Sequence, residues 1–146
     1  IERAKATATL QGRPWHGPEI WPDWASEPSR GAGTAEIVAN LLENAFRYSP
    51  PGTAIGLKPL PDGLCIWDEG PVIDIEEREA IFQEGVRGRR GRERAGTGIG
   101  LALARQLAER DGGRLELCVE PFRLAAELPE QGNAFRLRWT EPEAPV

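Results

Sequence analysis

Thr34-Ala35-Glu36-Ile37-Val38-Ala39-Asn40-Leu41-Leu42-Glu43-Asn44-Ala45-Phe46-Arg47-Tyr48, followed at once by Ser49-Pro50-Pro51-Gly52, is the most legible stretch of the chain. Ile37, Val38, Leu41, Leu42, Ala45 and Phe46 recur at steps of one, three and four, the apolar stripe of a helix lying on a core. Thr34 suits its N-cap, and the Ser-Pro-Pro-Gly run stops it. Asn40 and Asn44, four apart, lie over one another on a polar face beside that stripe, with Arg47 a turn further on. An amide oxygen is a hard neutral ligand, and Mg²⁺ held with nucleotide phosphates takes only one or two protein oxygens. Two solvated asparagines on a helix are the plainer reading of the pair alone, although asparagine is a mediocre helix former.

Downstream, Thr53 to Lys58 and Leu64 to Trp67 read as strands around Pro61-Asp62-Gly63, an antiparallel hairpin. Asp74-Ile75-Glu76-Glu77 has the form of a cap with a glutamate three residues on, opening a short helix through Phe82. A glycine- and arginine-rich stretch then leads to Gly96-Thr97-Gly98-Ile99-Gly100-Leu101 and a second helix. Leu101, Leu103, Ala104, Leu107 and Ala108 lie mostly on one side of it, and Gly112-Gly113 closes it. Arg114 to Glu120 and Asn133 to Thr140 read as two more strands. Upstream, residues 1–33 are the least legible, since Pro14, Pro18, Pro22 and Pro28 interrupt any helix; Ala6 to Leu10 is taken as a strand. Trp15, Trp21 and Trp24 are irregularly spaced, which favours anchoring a loop over stacking bases. Strands and helices without regular alternation predict an α+β fold. It is a two-layer α/β sandwich with helices on one face of a mostly antiparallel, mixed sheet.

A length of 146 residues fits a single domain. With 40% apolar and 28% charged residues the composition is globular, and no apolar run approaches the length that crosses a bilayer. The formal charge of −5 argues against steering toward nucleic acid. Ile1-Glu2-Arg3-Ala4-Lys5 has neither an initiator Met nor the apolar stretch of a signal peptide, so an internal cut in a longer parent is expected. Cys65 and Cys118 sit in strand-like runs without metal-ligand spacing and read as small core residues, which points weakly to a reducing compartment.

Two further motifs bear on chemistry. Gly96, Gly98 and Gly100 lead into a helix, where unpaired amides and the helix dipole favour an anion and absent side chains let phosphate approach. A dinucleotide fingerprint fails on context, because no strand directly precedes these glycines, and a Walker-type loop fails for lack of Gly-Lys-Ser/Thr. A flexible hinge is the bland alternative. Asp68 emerges at a strand end in Asp68-Glu69-Gly70-Pro71, where a carboxylate accepts a hydrogen bond from an exocyclic amine such as that of adenine. An ordinary Asx turn accounts for it equally well in isolation.

Taken jointly, these motifs are more specific. The order of an amide-bearing helix, a strand ending in Asp-x-Gly, a phenylalanine-containing helix, an arginine- and glycine-rich lid, and Gly-x-Gly-x-Gly opening a helix resembles the ATP-binding domain of sensor histidine kinases. These belong to the superfamily that includes gyrase, Hsp90 and MutL, and the resemblance covers roughly residues 34–139. It implies that Asn44 coordinates Mg²⁺ with Asn40 as its helper, that Arg47 lies near the phosphates, and that Tyr48 packs beside the nucleotide. Asp68 would read adenine with Gly70 as partner, and Phe82 would pack at the base of the lid. Arg87 corresponds to a lid arginine, while Gly96, Thr97, Gly98, Ile99, Gly100 and Leu101 form the second glycine box. The lid spans residues 83–97, and 141–146 is a tail. ATP and Mg²⁺ are the implied cofactors.

Departures from the pattern matter as well. Val72 stands where the first glycine box carries its second glycine, so if that position needs a positive φ the backbone must differ. Asn40 stands where hydrolytic relatives place a water-activating glutamate, which predicts slow hydrolysis. Glu43, beside Asn44, is a candidate to polarise an acceptor histidine, although adjacent helical residues point about 100° apart. His16, in Arg13-Pro14-Trp15-His16-Gly17-Pro18, lacks the helical acidic context of a phosphoacceptor, so the chain alone is not expected to phosphorylate itself.

The resemblance therefore implies transfer of the γ-phosphoryl group of ATP to a histidine on a separate dimerisation domain and onward to a response regulator. The parent would be a bacterial homodimer and this domain a cytoplasmic monomer, with membrane anchoring of the parent left open. Of Arg87, Arg89, Arg90, Arg92 and Arg94, one or two are expected to contact phosphate. The alternatives are a serine protein kinase of the anti-sigma-factor type, which normally keeps the glutamate absent at Asn40, and a degenerate nucleotide-sensing module.

Overall fold

The computed structural model describes residues 2–17, 28–82 and 100–139. Along the chain these form α1 (Glu2–Leu10), β1 (Trp15–His16), α2 (Pro28–Tyr48), β2 (Ile55–Leu60) and β3 (Gly63–Asp68). Two 3₁₀ turns follow (Ile75–Glu77 and Ala80–Phe82), then α3 (Gly100–Arg110), β4 (Gly113–Val119), a third 3₁₀ turn (Pro121–Arg123) and β5 (Asn133–Trp139).

The five strands make one sheet in the order β1-β2-β3-β5-β4. Only β1 and β2 run parallel among these neighbours; the other pairs are antiparallel. The sheet is thus mixed and mostly antiparallel, as expected. The hairpin is also as expected: Leu60 pairs with Gly63, so Pro61 and Asp62 make the turn. Alternation along the strands separates two faces. Leu57, Leu64, Ile66, Leu115, Phe135 and Leu137 face α2 and α3, meeting Ile37, Leu41, Ala45, Ala104 and Ala108 in the main core. On the other face Cys65, Trp67 and Ala134 are covered by Leu128, with Leu124 and Ala125 alongside, from the connection between β4 and β5. That connection, irregular in sequence, is a lid on the sheet's second face.

Both cysteines are free. Burial pushes the Cys65 thiol up to about 12 and raises that of Cys118 in the same direction. They are packing groups, as their sequence context suggested.

Three expectations are corrected. Ala6 to Leu10 is not a strand but the end of α1, because alanines at 4, 6 and 8 favour helix and outweigh the apolar-polar alternation with Thr7 and Thr9. Thr34 does not cap α2; it is 4% exposed inside a helix that starts at Pro28. Proline, read as an interruption, opens the helix instead, since its missing N–H matters least in the first turn. The segment from Asp74 to Phe82 is not one helix but two 3₁₀ turns, with Asp74 at the N-cap position of the first. Ile81 and Phe82, in the second of these turns, are buried in the core. Residues 1–33, expected to be irregular, hold α1, β1 and the first turn of α2 among their described part. Trp15 packs partly buried against the main core, as an anchor should, while Trp21 and Trp24 lie outside the described residues.

Candidate functional site

The site is set by where α2 ends. At about 100° per residue, Glu43, Arg47, Asn40 and Asn44 fall within an arc of roughly 100° bordering the buried stripe. Asn40, Asn44, Arg47 and Tyr48 are half-buried and Glu43 is exposed. Arg47 Nη2 donates to Glu43 Oε1 at 2.9 Å, one helical turn back. The carboxylate proposed to polarise an acceptor is therefore held by the arginine proposed to meet phosphate.

Asn44 Nδ2 is buried and makes no hydrogen bond among the described residues. A buried amide end without a partner is unfavourable by about 1–3 kcal/mol unless something else engages the group. One turn earlier on α2, Asn40 meets the first residue of α3: a Cβ placed on Gly100 would lie 3.7 Å from Asn40 Oδ1. The N-terminus of α3, whose first-turn amides have no intrahelical acceptor, therefore opens beside Asn40. Leu101 follows, partly buried against the main core, and fixes the direction in which the helix leaves.

The other end of the site is at the close of β3. Asp68 is 1% exposed, and its Oδ1 accepts the Gly70 N–H at 2.7 Å. Gly70 is a close-approach position, since a Cβ there would come within 2.7 Å of Asp68 Oδ1 and 3.2 Å of Ser49 Cα. Ser49, the residue that ends α2, is fully buried. Thus the helix carrying the asparagines and the strand carrying the aspartate meet at Ser49 and Gly70.

Asn133 completes this end and was not singled out by its sequence context. Fully buried at the start of β5, it accepts the Ile73 N–H on Oδ1 at 3.0 Å and donates from Nδ2 to Pro71 O at 2.7 Å. It is also the cross-strand partner of Asp68. Gly132 precedes it at φ +127°, and a Cβ there would fall 2.0 Å from Asp68 O. The signal was Gly132-Asn133 at a strand start, a pair that reads as ordinary turn chemistry. Val72 lies within this pinned loop, 46% exposed, and among the described non-glycine residues only Glu120 has a positive φ. The loop therefore runs through Val72 without the strain that a left-handed glycine position would impose.

Phe82 is 6% exposed; its ring meets Phe135 edge-on at 6.0 Å and is covered by the Arg105 guanidinium at 4.6 Å. Arg105 also pairs with Glu79 at 3.0 Å, tying α3 to the turn that carries Phe82. Phe82 is thereby a core anchor immediately before residue 83. Arg87, Gly96, Thr97, Gly98 and Ile99 lie outside the described residues. His16 is exposed on the edge strand, its ring 5.5 Å from that of Trp67.

As a test of metal fit, the described residues contain no group of three or more His, Cys, Asp or Glu side chains able to hold an ion. An Mg²⁺ arriving with phosphates needs only one or two protein oxygens, a demand that a single asparagine amide oxygen meets, while the buried Asn44 Nδ2 is a donor suited to a phosphate oxygen and not to the metal. No described helix is long and apolar enough to cross a membrane.

Residues 29–143 match the sequence family described as histidine kinase-, DNA gyrase B-, and HSP90-like ATPase. The sensor histidine kinase Hik2 of Thermosynechococcus vestitus is 32% identical over 145 residues, covering 94% of this chain and 35% of that protein. The signal transduction histidine-protein kinase/phosphatase MprB of Mycobacterium sp. strain KMS is 37% identical over 91 residues, covering 59% of this chain and 18% of its own length. The chain therefore spans only a minor part of these curated relatives. Among solved structures, a mycobacterial sensor histidine kinase MprB superposes with a TM-score of 0.67 at 26% identity, covering 93% of this chain and 87% of that one. The catalytic domain of histidine kinase ThkA shares the fold at a TM-score of 0.66 and 18% identity, covering 93% and 85%.

Proposed function

Since the chain belongs to the histidine kinase-, DNA gyrase B-, and HSP90-like ATPase family, and within it to the ATP-binding domains of sensor histidine kinases, we propose that it holds Mg²⁺-ATP between α2 and α3. It would present the γ-phosphoryl group to a histidine on a separate dimerisation domain of the same protein. One observation carries this reading. The end of α2 meets the Asp68-Gly70 turn through Ser49 on one side and the start of α3 through Asn40 on the other, 3.7 Å from a Cβ on Gly100.

In this reading Asp68 accepts the exocyclic amine of adenine while also holding Gly70 N–H. Asn44 offers its amide oxygen to Mg²⁺, with Asn40 beside it, and the α3 N-terminus from Gly100 receives phosphate. Bound Mg²⁺ supplies charge neutralisation, and the protein's own part is positioning, as phosphoryl transfer generally requires. Arg47 and Arg87 supply further positive charge, with Arg47 first leaving Glu43. Glu43, once released, is free to polarise the acceptor histidine. Tyr48 flanks the nucleotide, and Gly96, Thr97, Gly98, Ile99 and Leu101 complete the phosphate-facing turn. Asn40 cannot act as a base toward water, so hydrolysis is slow. The phosphohistidine would then serve a response regulator, and the parent would act as a homodimer.

Calorimetric titration of ATP with and without Mg²⁺, on the wild type and on Asp68→Asn, tests the site. Loss of one charge-assisted hydrogen bond should weaken ATP by about 10- to 100-fold while the far-ultraviolet spectrum is unchanged. Transfer of an acid-labile label from γ-labelled ATP to a supplied histidine-bearing helical hairpin tests the activity. An acid-stable label would instead indicate a serine acceptor.

A further inference from the structure

Arg13 belongs to none of the motifs above, yet it is 6% exposed and sits beneath the end of α2. Its Nε donates to Thr53 O at 3.1 Å, and Nη1 donates to Phe46 O at 3.4 Å and Gln11 Oε1 at 3.4 Å. Nη2 donates to Ser49 Oγ and, at 3.3 Å, to Thr53 Oγ1. The guanidinium lies 5.6 Å over the Phe46 ring. Its own backbone is fixed, because Arg13 N–H donates to Ala8 O at 2.8 Å and the next residue's carbonyl accepts Ile55 N–H at 3.2 Å.

A buried cation at this place has a physical reason. The last carbonyls of a helix lack intrahelical donors and carry the negative end of the dipole, so a cation there is favoured. A planar fork with five N–H donors reaches the helix end and both sides of the 49–53 turn at once, which a lysine cannot do. Ser49 is the point that matters, because its hydroxyl also donates to Ala45 O at 2.5 Å and its Cα would lie 3.2 Å from a Cβ on Gly70. Gly70 N–H is in turn held by Asp68 Oδ1 at 2.7 Å.

We infer that Arg13 is a positioning residue for the base end of the nucleotide site: it clamps Ser49 against Gly70 and so fixes the direction of the Asp68 carboxylate. The inference rests on the nucleotide reading for its consequence, selectivity for adenine, but not for the clamp itself. Two readouts on the 146-residue chain keep these separate: amide hydrogen exchange at Gly70 without nucleotide, and the ratio of ATP to GTP affinity. In Arg13→Met, Gly70 exchange should accelerate about tenfold with Leu64 and Leu137 at mid-sheet unchanged, and the ATP to GTP ratio should fall about tenfold while the enhancement by Mg²⁺ persists. Exchange that accelerates equally across the sheet, or ATP and GTP weakened equally, overturns the inference, since a merely structural arginine would do that. Should Arg13→Met not fold, Ser49→Ala decides, because it removes one link of the clamp and keeps the wall behind Gly70. About threefold faster exchange at Gly70 is then expected, and wild-type exchange overturns the clamp. A wild type that binds ATP and GTP alike would sink the nucleotide reading, while the exchange arm would still judge the clamp.

Discussion

The two ends of the site are built on opposite terms. At the base end, Asp68 holds Gly70, Asn133 holds both Pro71 and Ile73, and Ser49 is bonded to Ala45 and Arg13. At the phosphate end, Asn44 keeps a buried amide nitrogen without a hydrogen bond, and Arg47 is tied to an exposed glutamate one turn away. A satisfied network in a low-dielectric interior is rigid and is assembled by folding itself. An amide nitrogen left unpaired at a helix face keeps a donor free for an incoming acceptor. In the proposed reading, the difference means that this domain would meet the base with its core and leave the phosphates to groups that complete their bonding on binding.

The most severe way to break the contrast is to remove Asn133. Asn133→Ala strands the buried Ile73 N–H, at about 1–3 kcal/mol, while the carbonyl of the exposed Pro71 can turn to water, so a loss of about 2 kcal/mol in urea unfolding is expected. ATP affinity should fall with it. A loss below about 1 kcal/mol would mean that the base end is not part of the folded framework.

Asn44→Ala probes the other end and should behave in the opposite manner. Folding stability should not fall and should rise by up to about 1–3 kcal/mol, because the change removes a buried nitrogen without a partner and puts a better helix former in its place. The Mg²⁺-dependent gain in ATP affinity, by contrast, should drop about tenfold or more. If ATP binding kept its full response to Mg²⁺, the metal assignment at Asn44 would have to be abandoned.

How much of this was legible follows the same division. Helical spacing alone puts Asn40, Asn44 and Arg47 on one face, because i, i+4 geometry is local, while their tie to phosphate came only from the joint resemblance. The main core was equally readable, with Ile37, Leu41 and Ala45 buried as the stripe required. The base end depends on contacts between distant parts of the chain, and these leave no local trace. Asn133 bonds residues about sixty positions earlier, and Arg13 bonds residues more than thirty positions later. Local propensity also misled where two signals competed. Pro28 was read as a break although first-turn proline suits a helix, and the alternation Ala6-Thr7-Ala8-Thr9 was read as a strand although alanine favours helix.

Val72 gives the smallest expected effect and the finest test of the contrast. It stands where the first glycine box carries a glycine, yet the residue is half-exposed with no left-handed backbone, and the loop is held by Asn133 on both sides of it. Restoring glycine in Val72→Gly therefore relieves no strain. It adds freedom to the unfolded chain and should lower stability by about 0.4–1 kcal/mol, read as a small drop in the urea midpoint. ATP affinity should change by less than about twofold, because the loop's shape is set by the bonds at Pro71 and Ile73 and not by the side chain between them. A gain of tenfold or more on titration would show that the base end is only partly assembled by folding, and the difference between the two ends would then be one of degree.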